Sequence, residues 1–590
     1  MLFLRNTFKL FRVNARTAIL FELLFRIVLA SLLIPLSFGM IDLAMGFAGI
    51  TYISDANLSL FLQHPATWLF VALGIVLIAL CALFEMCALV IVMQAGRERR
   101  KIGVFALGRR AFASARSIVY PKNWLLVPFV LLLVPLTQIA LTSSVITEFR
   151  PPEFIMDYIW QNPLLSLAFI ILIAVFCIHA FFLSFGIHFF TLCRQPWMKA
   201  RRSSKHLLER NKWLLLRRLL AVNGIVIALT LAISLLGGLG ISVLLESASS
   251  LPVLIIWGFA LLVFVAIASC IFLPLSYAAL STTFYELAAK RGIVITYDFT
   301  EHAPSRRRRA GRVVVGVGVC ILALFSLAAY TQIHGTFEPN PGPPETFEIT
   351  AHRGGSRNAP ENTLAAFQQA IDEGADWVEL DVQQTSDGVL MVMHDANLKR
   401  TTGLDKEFWQ VTYDEIKNLD NGSWFAPAFA QERVCTLEEA LALCKDKIKM
   451  SIEVKPDGHG VDLEEKTVAL INEYDMKDQV VVASITYDSL VRVKNADPSM
   501  RTMYDMTLAY GLISEIEYVD YFSVDDFFVT QELVNNVRDA GKIIYAWTVN
   551  DPTNIARLIE YGVDGLVTDD VKLAREIATA AETQDSQLID

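Results

Sequence analysis

The chain has 590 residues, 54% of them hydrophobic and 19% charged, with a net charge of −9 at pH 7. That length exceeds one domain, and the average hides two unlike parts: residues 1–330 carry 30 Lys+Arg against 13 Asp+Glu, and residues 331–590 carry 21 against 47. The acidic part excludes nucleic acid as its partner, since a polyanion would be repelled, and the eight Cys show neither a zinc spacing nor a disulfide framework.

In chain order, seven apolar stretches are long enough to cross a bilayer, which takes about 20 residues. They are 18–40, 67–94, 124–146, 164–193, 219–245, 252–278 and 313–332. The first carries Glu22 and Arg26, which can pair one helical turn apart, and lacks a small-residue cleavage site, so it reads as a span rather than a signal peptide. Residues 53–65 suggest a short interfacial helix. Glu85, Gln138, His179, His188 and Asn223 also fall in or near spans, where helix packing and snorkelling account for such residues.

Basic residues set the orientation. Arg5, Lys9, Arg12 and Arg16 precede the first span; the second connection carries eight Lys or Arg, the fourth nine and the sixth seven, including Arg306 to Arg309. The first, third and fifth connections hold only Arg150. The alternation predicts a protein integral to the cell membrane, with a cytoplasmic N-terminus and an extracytoplasmic C-terminal domain. The predicted domains are a membrane domain over 1–332, a Pro/Gly-rich linker over 333–346 that allows no regular structure, and a soluble domain over 347–590.

From residue 347 the pattern becomes short apolar strands alternating with amphipathic helices. Strands are predicted at 347–352, 377–383, 389–394, 449–454, 479–484, 501–505, 520–524, 543–549 and 564–567. Helices are predicted at 361–373, 436–445, 461–474, 486–496, 530–540, 551–561 and 570–582. The alternation favours an α/β fold with a parallel sheet, a TIM barrel if eight units close. The strands around the turn Ser386-Asp387-Gly388 read as a hairpin, which makes the count imperfect and leaves a doubly wound open sheet as the alternative. Asn362 and Thr363 can cap the helix that Gly374 ends, and Thr436 with Glu439 fits a capping box. Cys435 precedes the predicted helix that contains Cys444, and a helical separation of nine positions puts them too far apart to bridge.

Chemistry in a barrel collects at the C-terminal ends of strands. The first strand ends at His352 and Arg353. The second carries Glu379 and Asp381, two apart and so on one face. The third ends at His394, and a later strand carries Glu453 and Lys455, again on one face. Three carboxylates without a thiol suit a hard divalent cation, Ca²⁺ or Mg²⁺. With Arg353 and Lys455 such a site would neutralise a phosphate diester, and two His can serve as general acid and base.

At these residues the sequence resembles the glycerophosphodiester phosphodiesterase family, in its membrane-domain-containing branch. The blocks AHRGGSRNAPENTLAAF, WVELDVQQTSDGVLMVMHD, LKRTTG, SIEVKP, AWTVN and GVDGLVTDD run in family order over nearly all of 348–570. The resemblance implies a TIM barrel that hydrolyses glycerophosphodiesters to glycerol 3-phosphate and an alcohol. It implies Glu379, Asp381 and Glu453 as metal ligands, His352 and His394 as the acid–base pair, and Arg353 and Lys455 on the phosphate. Glu361 would support the site from behind, or cap or pair locally. Trp547 would pack on the glycerol moiety or fill the mouth. The stretch 404–435, with Trp409, Trp424, Phe425 and Phe429, would shape the alcohol side or form a surface flap. A glycerophosphodiester or lysolipid-like substrate and membrane lipids are the expected partners. A lysophospholipase D or a hydrolase of glycerol-phosphate polymers would share the chemistry. A transport or lipid-handling protein with a binding-only barrel would have lost a ligand or a His, and none is lost.

Overall fold

The computed structural model describes residues 2–29, 31, 34–130, 159, 163–225, 227–229, 251–299 and 346–589. The span predicted at 313–332 and most of the linker at 333–346 lie outside the described residues, as do Gln138 and the greater part of the spans at 124–146 and 219–245. The chain forms two compact units, Met1–Ile41 with Leu69–Ala329 and Asp42–Trp68 with Tyr330–Asp590.

The first unit is helical. The stretch predicted as the first span runs over two helices, α1 (Leu2–Val28) and α2 (Ile34–Ala48). After a short helix α3 (Leu58–Gln63), which belongs to the second unit, helix α4 (Pro65–Arg97) contains the second predicted span. The helical stretches Pro65–Arg97 and Leu164–Leu192 are long and apolar enough to cross a membrane. Leu251–Lys290 forms one helix of 40 residues, about 60 Å at 1.5 Å per residue. Helix α1 is interrupted at Asn14 (φ −125°, ψ 23°). There the side-chain amide donates to Arg100 O at 2.9 Å and its oxygen accepts from Ile102 N at 3.2 Å, so a polar side chain inside a helix serves backbone groups of the second connection. Glu22 and Arg26 lie 4.0 Å apart, as their spacing predicts.

The second unit is a closed barrel. Its strands are β2 (Glu348–Ala351), β3 (Trp377–Gln384), β4 (Leu390–Val392), β5 (Lys449–Val454), β6 (Val480–Ser484), β7 (Thr502–Met506), β8 (Ala509–Gly511), β9 (Tyr521–Asp525), β10 (Ile543–Trp547) and β11 (Gly565–Thr568). The order β2-β11-β10-β9-β7-β6-β5-β3-β4 and a further β2–β3 pairing close eight parallel strands into a ring. Strand β4 lies antiparallel on β3 as the predicted hairpin, which explains the surplus strand and removes the open-sheet alternative. Seven of the ring's crossovers and returns hold helices close to their predicted positions, beginning with Leu364–Asp372 and Leu437–Cys444. Between β7 and β9 stand β8 and the short turn Ile513–Glu515 instead.

Strand β8 pairs antiparallel with β1 (Tyr52–Ser54), which comes from the connection between the first two predicted spans. The sequence reading expected helix over 53–65; the observed chain is strand first and helix only at Leu58–Gln63. Thr363 is the N-cap of Leu364–Asp372, accepting from Ala366 N at 3.2 Å. Asn362, expected to share that cap, turns to Asp381 instead, its amide donating to Oδ2 at 2.7 Å. The capping box of Thr436 and Glu439 is present, and Cys435 and Cys444 are unpaired and buried.

The ring interior is filled from its N-terminal end by Trp377, Val481, Met503, Tyr521 and Tyr545. Glu348 ties this layer together, accepting from Trp377 Nε1 at 2.8 Å and from the Tyr545 hydroxyl, with Lys449 Nζ at 2.5 Å. The plug leaves the C-terminal end as the open one. Trp377 is 1% exposed, and Trp377→Ala should destabilise the barrel by about 3–5 kcal/mol. Thermal unfolding of the purified chain should show a barrel transition lower by roughly 10 °C.

Candidate active site

The open end collects the polar residues that the strand periodicity singled out. Glu379 and Asp381 stand on β3 and Glu453 on β5, and the register pairs Asp381 with Glu453. One carboxylate oxygen from each of the three lies within 4.8 Å of the others. Lys455, just past β5, reaches Asp381 Oδ1 at 3.0 Å and Glu453 Oε2 at 3.1 Å. The turn His352–Gly354 after β2 brings the Arg353 N–H to Glu379 Oε2 at 2.7 Å. Arg353 takes a φ of 51° and Gly354 one of 89°. A Cβ on Gly354 would lie 2.6 Å from Ala366 Cβ, so glycine is required for this turn to sit against the helix.

Each histidine has a carboxylate behind it. His352 Nδ1 lies 2.7 Å from Asp569 Oδ1, and Asp569 is held by Ser356 Oγ at 2.6 Å and Asn550 Nδ2 at 2.7 Å. His394 Nδ1 lies 2.8 Å from Asp395 Oδ1. A carboxylate can only accept, so Nδ1 carries the proton in both rings and Nε2 is left for chemistry. Asp395 also accepts from Arg400 Nε at 2.6 Å. Arg400 forks onto Glu361 at 2.6 and 2.9 Å, and Glu361 accepts from Arg353 at 2.9 Å. Arg353 Nε in turn stands 3.6 Å from Asp381 Oδ2. One chain of charges thus joins His394 to the carboxylate cluster.

The electrostatics follow from burial and crowding. Burial, with Asp381 and Glu453 beside it, pushes Glu379 well above the usual carboxylate range. Burial pushes Glu453 up to about 8, against the pull of Lys455. For Asp381 burial acts upward, but Lys455, His394 and Arg353 outweigh it and hold the group well below its ordinary value. Asp505, at the end of β7, is pushed by burial up to about 7. Burial lowers His394 against the pull of Asp381 and Asp395. Asp569 and Asp395 are held below the ordinary range: burial acts upward, and their hydrogen bonds from His352 and from His394 and Arg400 outweigh it.

The structure brings His352, Arg353, Glu361, Glu379, Asp381, His394, Glu453 and Lys455 to this end of the ring. Trp547 closes β10, its indole donating to Ser523 O at 3.1 Å. The strand pattern and motifs assign no role to Asp569, Asp395, Arg400 or Asp505, and to Asn362 only a helix cap in place of its bond to Asp381. Asp395 and Arg400 lie in blocks singled out for other residues, and Asp569 follows the strand in GVDGLVTDD; strand-end position was the available signal. The carboxylate set fits a divalent cation. It offers oxygen donors alone, and buried Asp381 Oδ1 has the Lys455 ammonium 3.0 Å away but no aligned hydrogen bond, leaving it able to face a cation.

Residues 352–573 match the glycerophosphoryl diester phosphodiesterase family, and residues 4–326 match a family described as the membrane domain of glycerophosphoryl diester phosphodiesterase. A glycerophosphodiester phosphodiesterase from Caldanaerobacter subterraneus subsp. tengcongensis is 39% identical over 235 residues, 38% of this chain and 93% of the relative. One from Bacillus subtilis is 32% identical over 276 residues, 42% of this chain and 94% of the relative. A solved Oleispira antarctica phosphodiesterase, in complex with the product sn-glycerol-3-phosphate, aligns with a TM-score of 0.36 at 28% identity, over 42% of this chain and 99% of that one.

The raised Glu453 makes a test of the cluster independent of any reaction. Unfolded, a glutamate loses its proton near about pH 4.3; in the metal-free barrel Glu453 keeps it up to about 8. The bound proton therefore stabilises the fold at low pH, and the contribution is lost as pH rises from about 4.3 through about 8. In chelator, Tm should fall with rising pH across this window, and Glu453→Gln should flatten the fall. Equal slopes for parent and variant would refute this electrostatic account.

Proposed function

The chain belongs to the glycerophosphoryl diester phosphodiesterase family, in the branch with a membrane domain, and we propose that it releases glycerol 3-phosphate and an alcohol from its substrates. It is a glycerophosphodiester phosphodiesterase, a phosphoric diester hydrolase. The observation that carries the finer reading is the convergence of three carboxylates, two cationic side chains and two carboxylate-backed histidines at one barrel mouth.

Glu379, Asp381 and Glu453 would hold one Ca²⁺ or Mg²⁺ ion. When bound, such a cation supplies positive charge against the phosphate oxygens. Arg353 and Lys455 add fixed positive charge beside it and orient the diester. The reaction breaks the phosphorus–oxygen bond to the alcohol and forms one to the attacking oxygen. One histidine takes at Nε2 the proton of the attacking water, or of the glycerol 2-hydroxyl in a first step that water completes, and the other, protonated on both nitrogens, gives its Nε2 proton to the departing alkoxide. Asp569 and Asp395 fix the rings by Nδ1, so neither ring can turn its protonated nitrogen to the wrong partner. Glu361 positions Arg353 through their 2.9 Å bond. Trp547, at the end of β10, would pack on the glycerol moiety.

The membrane domain would place the barrel on the extracytoplasmic face. The basic residues of the even-numbered connections support an inside N-terminus. The pairing of Tyr52–Ser54 with Ala509–Gly511 adds support, because it requires the first connection and the barrel to share one side of the bilayer.

The purified full chain should release glycerol 3-phosphate from glycerophosphocholine with Ca²⁺ or Mg²⁺ and lose that activity in chelator. His352→Ala and His394→Ala should each lower kcat by about 10²–10⁴-fold, and Glu379→Ala should abolish metal-dependent turnover. Activity that survives chelation, or full activity in both histidine variants, would sink this assignment.

A further inference from the structure

The crossover between β7 and β9 has no helix, and the gap is served by a segment from another part of the chain. Tyr52, Ile53 and Ser54 pair with Gly511, Tyr510 and Ala509. Ile53 is buried, and Tyr52 packs against the barrel core. The Asp55 carboxylate accepts from Thr507 N at 2.8 Å, from Leu508 N at 3.2 Å and from the Thr507 hydroxyl. Thr51 donates to Glu515 at 2.6 Å, and Tyr510 donates to Asp42 at 2.8 Å.

The register gives this strap a direction. Running from Tyr52 to Asp55, it moves from Gly511 toward Thr507, the residue that follows the C-terminal end of β7. The strap therefore leaves the barrel at the rim of the mouth. Helix α4, long and apolar enough to cross a bilayer, begins at Pro65. Nine residues lie between Asp55 and Pro65, and six of them form α3, so the span starts within about 25 Å of the rim.

The same sector of the rim is apolar. Beyond the strap, Leu60 of α3 is 56% exposed and Trp68 in the first turn of α4 58% exposed, and the Trp68 indole donates to Leu62 O at 2.7 Å. An amphipathic tryptophan beside a span belongs at the membrane interface. Strands β6 and β9 flank β7 in the ring, and just beyond their C-terminal ends stand Ile485 and Phe527, each 42% exposed. Neither side chain has a place in the site chemistry.

We propose that this rim sector, Ile485 and Phe527 together with Leu60 and Trp68 on the helices that follow the strap, sits in the headgroup–acyl boundary of the bilayer, so that the mouth of the barrel opens onto the lipid surface. The occupant of the surface is a phospholipid bilayer, because the strap is joined directly to a span and the exposed residues are aliphatic and aromatic. The proposal rests on the attachment of the barrel and stands apart from the reaction it performs.

The test uses the full chain in vesicles of phosphatidylcholine and phosphatidylglycerol. The photoreactive p-benzoylphenylalanine replaces Leu60, Ile485 or Phe527, or Asp539, which is exposed toward the opposite end of the ring as the last residue of the helix Gln531–Asp539. Irradiation and mass spectrometry count the lipid adducts. The expected result is at least about five-fold more lipid adduct at each of the first three positions than at Asp539. Adducts at Ile485 and Phe527 no higher than at Asp539 would overturn the proposal, and so would adducts at Leu60 alone. All four side chains are exposed, and the elution profile of each purified variant checks that it is folded.

Discussion

Three carboxylates packed at one barrel mouth repel one another, and the rest of the site answers that repulsion. Glu379, Asp381 and Glu453 present oxygens within 4.8 Å, at a depth where charge is weakly screened. Asp381 lies lowest in pKa because Lys455, His394 and Arg353 face it, and it leaves its neighbours to be raised. Without a further positive charge the cluster holds protons. With a divalent cation it holds metal, and the affinity must be linked to proton release.

The same logic orders the second circle of residues. Arg353 cannot sit beside Asp381 without its own partner, and Glu361 supplies one; Glu361 in turn binds Arg400, which holds Asp395 behind His394. Breaking this chain anywhere leaves a buried charge unmatched, which costs more than the lost contact alone. The Asp569–His352 pair stands outside that chain, anchored by Ser356 and Asn550. The two histidines are therefore oriented by independent supports, which suits a pair that must hold different proton states in one turnover.

Much of this was legible from the chain. The period of two along WVELDV and SIEVK put Glu379 with Asp381, and Glu453 with Lys455, on the inward face, because alternate strand residues share a side. The eight barrel strands lie within a residue or two of their predicted positions. The partners behind the histidines were hidden for a different reason: Asp569 is 217 residues from His352, and only closure of the ring brings β11 beside β2. Asn362 was misassigned because an Asn before a helix has two competing uses, and burial of Asp381 beside it decided for the carboxylate. Strands β1 and β8 were missed because three residues carry no readable periodicity.

The acidic barrel and the basic membrane domain are not joined only by the linker that follows the last predicted span. A barrel without a helix in one crossover exposes apolar core residues there, here Ile513, Ile516 and Val519, all buried in the folded chain. Part of that cover comes from β8 and the turn after it, and part from a strand some 450 residues earlier in the chain. Loop closure over that distance costs about 3 kcal/mol more than over a ten-residue loop, since the entropy grows only with the logarithm of length. The pairing is useful only if its two halves meet on one side of the bilayer. Fold and topology therefore constrain each other: a barrel carried to the opposite face would lose β1, the Asp55 bonds to the turn after β7 and the burial of Ile53 together.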